Sequence, residues 1–305
     1  MKAYVRTNAE NQEVVLSEVS IYDIEANEVL IKTEAFGVGI HDRYFIPQDV
    51  EFPHVIGSEG AGTIVKLGSE VSDYVVGDRV IFTTALQAQG GAWAEYAAAK
   101  AEALLPLPEE LTFAEGAALP IAGKTALASM AALELMAGDK VFIAGASGAI
   151  GSLVIQLADL AGVQVSASAS KKNHQYMQSL GAKKTVDYHD SDWPAQIKEW
   201  SGGGVQAALA IQPGTGADSI KAVENSGRLI TVSGDNDQIT PERNITVKQI
   251  EHHSESKGEM TRLLDQVAKQ EIQLTIEKMY DFEVALDALE KTETRHAQGK
   301  VVVKM

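Results

Sequence analysis

Residues 141–151 read Val-Phe-Ile-Ala-Gly-Ala-Ser-Gly-Ala-Ile-Gly, and no other segment restricts the possible folds of this chain as strongly. A short apolar run, expected as a strand, meets Gly145, Gly148 and Gly151. A helical pattern follows over 149–161, with Ile150, Val154, Leu157, Ala158 and Ala161 on one face. Glycines at a strand-to-helix junction have a physical use. Gly148 lets backbone approach a pyrophosphate, and Gly151 lets the helix pack close to the strand. The free N–H groups at the helix start hold the anion. The spacing is a variant of the dinucleotide fingerprint, with Ala146 in place of its first glycine. Ala146, Ser147, Gly148, Ala149, Ile150 and Gly151 are therefore candidate cofactor contacts.

The surrounding pattern agrees. Strands are expected at 141–144, 163–167, 185–188, 207–211 and 228–232, with intervening helices such as 173–180, closed by Gly181. Alternation of this kind implies a parallel sheet with helices on both faces. The first third differs. Segments 28–33, 62–67 and 78–82 are short, β-branched and set among many glycines, as in a tightly turning β domain. Ala-rich helical sequence then appears over 111–132, with Pro120 placed to start or kink a helix. Towards the end, Ser256 and Glu259 fit a capping box, and Met260, Leu263, Leu264 and Val267 mark one helical face. Phe282, Ala285, Leu286 and Leu289 mark another, and 300–304 reads as a strand returning to the β domain. The expected organisation is α/β: a β-rich domain from 1–116 and 254–305, with a dinucleotide domain at 117–253 inserted into it.

Composition removes several functions. A chain of 305 residues suits two domains. Its 26 Lys and Arg against 42 Asp and Glu leave a net charge of −16, which repels nucleic-acid phosphates and anionic lipid. No apolar run reaches the ~18 residues of a membrane span. The opening Met-Lys-Ala-Tyr-Val-Arg-Thr-Asn-Ala-Glu lacks an apolar signal core, so a cytoplasmic protein without nucleic-acid or membrane partners is expected. The cysteine count of zero removes disulfides, thiol catalysis and Cys-ligated zinc.

The second strand of the nucleotide unit decides the cofactor. An NAD site ends this strand with an acid that binds the ribose 2′-hydroxyl. Here it runs Val-Ser-Ala-Ser-Ala-Ser and continues with Lys171 and Lys172. An acid there would repel a 2′-phosphate by about 4 kcal/mol at 4 Å and an effective dielectric of 20. Lysines attract it, so NADPH is the expected cofactor.

Several further segments carry a resemblance. They are Gly-Ser-Glu-Gly-Ala-Gly at 57–62, Val-Gly-Asp-Arg-Val at 76–80 and Gly-Gly-Ala-Trp-Ala-Glu-Tyr at 90–96. Ala-Ala-Leu-Pro-Ile-Ala-Gly-Lys-Thr-Ala at 117–126, Leu-Gly-Ala at 180–182, Asp187-Tyr188, Gly227-Arg228 and His-Ala-Gln-Gly-Lys-Val at 296–301 follow in order. Together with the fingerprint they resemble the zinc-independent, quinone oxidoreductase-like members of the medium-chain dehydrogenase/reductase superfamily, over nearly the whole chain. The resemblance implies a GroES-like β-rich catalytic domain, a Rossmann domain with a doubly wound parallel sheet, and a cofactor in the cleft between them. It adds Thr125 and Gly234 as contacts on the nicotinamide side, and Ser170, Lys171 and Tyr188 on the adenosine side. Zinc-dependent relatives use Cys and His ligands; His41, His54 and Glu59 fall near such positions here, but no cysteine does, and no metal site is expected. The resemblance leaves Lys300 as a further candidate contact, although it stands in the terminal strand, where a charge is ordinarily solvated.

Without a metal, a hydrogen-bond donor must stabilise the developing oxyanion. The resemblance places Tyr44 on the substrate side. His41, an unexpected titratable group in the same stretch, suits enolate protonation. Asp42 is expected to be structural. Many relatives carry Asn where Gly39 stands, which removes one donor. A second departure is 207–216, where an acid is often found near Ala210. The leading expectation is an NADPH-dependent reductase of a quinone or α,β-unsaturated carbonyl compound. The alternatives are a reductase of simple aldehydes and ketones, or a low-turnover NADPH-binding sensor. Segments 45–53 and 87–91 are expected to shape the pocket. Segments 228–232 and 244–250 are expected to form an apolar sheet edge, and the resemblance implies a homodimer paired through it.

Overall fold

The computed structural model describes residues 1–47, 50–84, 87, 90–234, 239–251 and 257–305. Contacts divide them into two units: Met1–Ile121 with Ile276–Met305, and Ala122–Thr275.

The first unit contains β1 (Lys2–Arg6), β2 (Val14–Glu18), β3 (Glu28–Val38), β4 (His54–Val55), β5 (Glu59–Leu67), β6 (Arg79–Thr83), β7 (Tyr96–Lys100), β8 (Leu104–Pro106) and α1 (Phe113–Ala117). Thr112 starts α1 by accepting from the Glu115 N–H at 3.2 Å, while the Glu115 carboxylate accepts from the Thr112 N–H at 2.8 Å. Pro120 opens α2 (Pro120–Leu133), the position where a missing N–H costs nothing.

The second unit continues with β9 (Lys140–Ala144), α3 (Ala149–Leu160), β10 (Gln164–Ala169), α4 (His174–Ser179), β11 (Lys184–Asp187), α5 (Trp193–Ser201), β12 (Val205–Ala210), α6 (Gly216–Ser219), β13 (Val223–Thr231), β14 (Thr246–Gln249) and α7 (Lys257–Ala268). The chain then returns to the first unit with β15 (Ile276–Asp281), α8 (Ala285–Glu293) and β16 (Lys300–Lys304).

In the first unit the main sheet runs β15-β16-β3-β5-β6-β8, with β7 also on β3, and a smaller sheet runs β2-β1-β4. The terminal strand does return, pairing antiparallel with β3 from Val301↔Val38 to Lys304↔Ala35. Being central, β3 buries nearly every residue. Its neighbour β5 approaches so closely that a Cβ on Gly62 would lie 2.1 Å from the Lys32 carbonyl oxygen, which only glycine permits. Trp93 stacks on Phe36 at 4.8 Å, and Tyr4 meets both Trp93 and Phe282 edge-on.

In the second unit the sheet order is β11-β10-β9-β12-β13-β14, every pair parallel. The chain moves outward from β9 to β11, then restarts at β12 on the other side of β9. This reversal opens a crevice at the carboxyl ends of β9 and β12, where such sheets bind ligands. Phe142 stacks on Trp193 at 4.7 Å beneath it. The apolar face of α7 packs within this unit: a Cβ on Gly123 would lie 2.9 Å from Leu263 and 3.1 Å from Met260. That packing holds α7 here, so the units part at 275/276, downstream of the 253/254 division drawn from the sequence. Ser256 of the expected capping box lies outside the described residues.

Candidate functional site

In the second unit, Gly145 leaves β9 with φ 77°, and the Ala146 N–H donates to the Ser168 carbonyl at 3.1 Å. The turn is thereby tied to β10. Gly148 is the N-cap of α3; among the described residues no side chain caps the helix, and no acid stands in its first turn. The first N–H groups of α3 are left to an outside acceptor. The glycines have distinct surroundings. A Cβ on Gly148 would meet only the Gly145 carbonyl at 3.8 Å and otherwise open space. One on Gly151 would lie 2.5 Å from the Ala146 Cα. Gly151 thus packs the helix against the turn after the strand, rather than against the strand itself, while Gly148 keeps a cradle open. Ser147 and Ile150 are half-buried and Ala146 is buried.

Ser170 follows β10, Tyr188 follows β11 and Gly234 follows β13, so all three stand at the same carboxyl edge as the fingerprint turn. Tyr188 is exposed, its ring 4.1 Å from that of His189. Lys171 and Lys172 are exposed in a 3-10 turn ahead of α4. Gly234 has φ 76°. Thr125 is buried in α2 of the same unit, its carbonyl accepting from Ser129 at 2.7 Å.

Three neighbours were not read from the sequence. Asn173 donates to the Ser147 hydroxyl at 3.0 Å and braces the turn. Gln212 covers Gly145, where a Cβ would lie 2.8 Å from its Cγ. The third is Asp187. The second strand ends without an acid, but Asp187 on the adjacent strand pairs with Ala169 and reaches the same place. Its carboxylate accepts from the His189 N–H at 3.0 Å, the His189 Nδ1 at 2.6 Å and the Lys171 N–H at 3.0 Å. These bonds, led by the His189 backbone N–H, hold its pKa below the ordinary value.

In the first unit, β3 ends at Val38, and Gly39 precedes a short 3-10 turn, Ile40–Asp42. The buried Asp42 carboxylate accepts from the Gly39 N–H at 2.8 Å and the Ser58 hydroxyl at 2.9 Å. Its pKa is raised by burial, against the opposing pull of His41, the Gly39 N–H, Lys300 and Ser58. The half-buried His41 imidazole folds over Gly39: a Cβ there would lie 3.0 Å from Nε2. A larger side chain at 39 and this imidazole compete for one space.

Tyr44 is exposed and opens onto a cavity of about 380 Å³, walled by Arg6, Ile46, Pro47, Val50 and Phe52 among others. Asp42, His54, Ser58, Thr84, Gln87 and Gly91 help line a separate polar recess. Of the two segments expected to shape the pocket, residues 48, 49, 88 and 89 lie outside the described residues. Lys300 is buried, not solvated. It pairs with Glu59 at 2.5 Å, whose other oxygen accepts from the Ile121 N–H at 2.7 Å. Glu59 is thereby fully engaged, and among the described residues no group of three or more His, Asp or Glu side chains could hold a metal.

Residues 25–109 match the family model described as the alcohol dehydrogenase GroES-like domain, and 180–303 match the one described as zinc-binding dehydrogenase. The chain is 30% identical to the 2-methylene-furan-3-one reductase of Solanum lycopersicum over 320 residues, covering 99% of this chain and 79% of that protein. It is 29% identical to the chloroplastic NADPH-dependent alkenal/one oxidoreductase of Arabidopsis thaliana, with 99% of this chain and 79% of that protein covered. The solved quinone oxidoreductase of Coxiella burnetii superposes with a TM-score of 0.92 and 27% identity, covering 100% of this chain and 99% of that one. A GroES-like β unit and a Rossmann unit in one chain define an oxidoreductase fold. The chain belongs to the medium-chain dehydrogenase/reductase superfamily, with the quinone oxidoreductases and enone reductases. No helix among the described residues is long and apolar enough to cross a membrane.

Proposed function

We propose that this chain is an NADPH-dependent reductase that delivers hydride to a quinone or an α,β-unsaturated carbonyl compound without a metal. One observation carries the reading: the turn after β9 keeps Gly148 open in front of an uncapped helix start, a cradle that a single Cβ would begin to fill. Ala146, Ser147, Gly148, Ala149, Ile150 and Gly151 would hold the pyrophosphate. Ser170, Lys171 and Tyr188 would receive the adenosine and its 2′-phosphate. Asp187 does not oppose this, because its carboxylate is turned onto two N–H groups and an imidazole. Thr125 and Gly234 would line the nicotinamide. Bound NADPH supplies the hydride.

The remaining chemistry falls to this chain's own donors. Tyr44 carries a phenol hydroxyl that can donate a hydrogen bond to a developing oxyanion. The His41 imidazole can supply a proton to an enolate. The strand β14, last in the sheet order among the described residues, would be the edge through which a homodimer forms.

Calorimetric titration with NADPH and NADH at matched salt, followed by turnover of 1,4-naphthoquinone and methyl vinyl ketone, tests the reading. NADPH binding tighter by about 5- to 150-fold, with turnover of either substrate, supports it. Preference for NADH refutes the cofactor assignment. NADPH binding with no turnover of either compound refutes the quinone and enone reductase and leaves the aldehyde and ketone reductase or the sensor.

A further inference from the structure

His41 sits in the single 3-10 turn Ile40–Asp42, and Tyr44 follows two residues after its end. The internal hydrogen bonds of this segment are few: Asp42 N–H to the Gly39 carbonyl, Gly39 N–H to the Asp42 carboxylate, and the Tyr44 and Phe45 N–H groups to the His41 carbonyl. A turn this short does not fix side-chain direction by itself. Its geometry is imposed from outside, and Arg43, the residue between Asp42 and Tyr44, is held at both ends. Its carbonyl accepts from the Arg6 guanidinium at 2.8 Å. Its own guanidinium forks onto Glu293, with Nε donating to Oε1 at 2.5 Å and Nη2 to Oε2 at 3.1 Å.

Both partners occupy positions that stability alone would not choose. Arg6 is 2% exposed; among the described residues its bonds go to the carbonyls of Asn8, Ala9 and Arg43, and its Nε has no partner. A buried guanidinium satisfied only by carbonyls bears a desolvation cost. Glu293 is the last residue of α8, where the helix dipole disfavours an acid. Its carboxylate instead makes a bidentate pair, the geometry that fixes orientation as well as distance.

We infer that Arg6, Arg43 and Glu293 form a clamp that positions His41 and Tyr44, with Glu293 as a positioning residue more than 240 positions away in the chain. The inference rests on the assignment of His41 and Tyr44 made above. A misplacement of about 1 Å in a reacting group can cost about a hundredfold in rate, so loosening the clamp acts on turnover rather than on cofactor binding.

The test measures kcat, KM for 1,4-naphthoquinone, the NADPH Kd and Tm for Glu293→Gln, Glu293→Asp, His41→Gln and Tyr44→Phe. Glu293→Gln should lower kcat about tenfold, with Glu293→Asp recovering a part of it. The NADPH Kd should stay within about twofold, and Tm should fall by no more than about 2–4 °C, as for a partly exposed ion pair. Unchanged kcat in Glu293→Gln, while His41→Gln and Tyr44→Phe are impaired, overturns the clamp and leaves the catalytic assignment standing. Full kcat in both His41→Gln and Tyr44→Phe overturns the assignment, and the clamp with it. Parallel losses of kcat, NADPH affinity and Tm in Glu293→Gln also overturn the clamp, because they report general destabilisation.

Discussion

Gly148 and Gly151 differ by three positions, yet their replacement by alanine should produce opposite phenotypes. Gly148 has φ −80° and ψ 179°, backbone that alanine adopts without strain, and its Cβ would meet protein only at 3.8 Å. The folded chain therefore tolerates Gly148→Ala. Alanine is the poorer N-cap by about 1 kcal/mol, a Tm decrease of about 2–4 °C. The added methyl points into the open cradle, where it would forfeit one charge-assisted hydrogen bond to a pyrophosphate. That loss is about 1.5–3 kcal/mol, or roughly 10- to 150-fold in Kd. In Gly151→Ala the methyl lies 2.5–2.8 Å from Ala146 backbone atoms, which cannot rotate away. Overpacking of about 1–3 kcal/mol outweighs the gain of up to about 1 kcal/mol in helix propensity. The assay is NADPH titration by calorimetry beside a thermal melt on each variant. Gly148→Ala should lose affinity with little change in Tm, and Gly151→Ala should lose Tm. A Gly148→Ala protein that binds NADPH within twofold of the parent would refute the cradle.

Three other outcomes follow from the charges. Lys300→Met leaves Glu59 buried without its cation, a loss of about 3–5 kcal/mol by urea unfolding, and Glu59→Gln combined with Lys300→Met should recover much of it. Asp187 has a lowered folded-state pKa, so its contribution is present above its ordinary 3.8 and is lost as pH falls through the folded value. The Tm gap between the parent and Asp187→Asn should therefore be widest near neutrality and close in acid; a gap that ignores pH would count against these bonds. Asp42 has the opposite sign, because burial raises its pKa, so its ionisation weakens the fold as pH climbs from 3.8 through that raised value. Asp42→Asn should gain on the parent across that rise in melts, and a constant difference would show that the carboxyl does not titrate there.

The elements of the nucleotide unit were readable because each signal is local. The apolar run and glycines of 141–151 became β9, its turn and α3, and the segments at 163–167 and 207–211 became β10 and β12 with shifts of a few residues. The residues that sequence reading misplaced or missed depend on contacts across strands. Lys300 reads as a solvated terminal charge until β16 lies against β3, two strands' width from Glu59 on β5. The end of β10 reads as free of acid until the parallel register sets Asp187 beside Ala169. No periodicity in the chain announces Glu293 as the partner of Arg43. The Gly39–His41 pair lies within three residues, but its meaning appears only when the 3-10 turn folds the ring back over the glycine.

The strand order of the first unit has a consequence for synthesis on the ribosome. Residues 122–275 form a continuous unit, and every strand of its sheet has been made before β15 begins. The first unit is made earlier but finishes later. One edge of β3 is shared, with β7 covering Glu28–Lys32 and β16 covering Ala35–Val38. Until residue 304 emerges, the second half of that edge is a bare row of N–H and carbonyl groups beside the turn that carries His41 and Tyr44. The part of the protein made first is thus the last to close, and a stalled nascent chain would expose a pairing edge beside the Gly39–His41 turn.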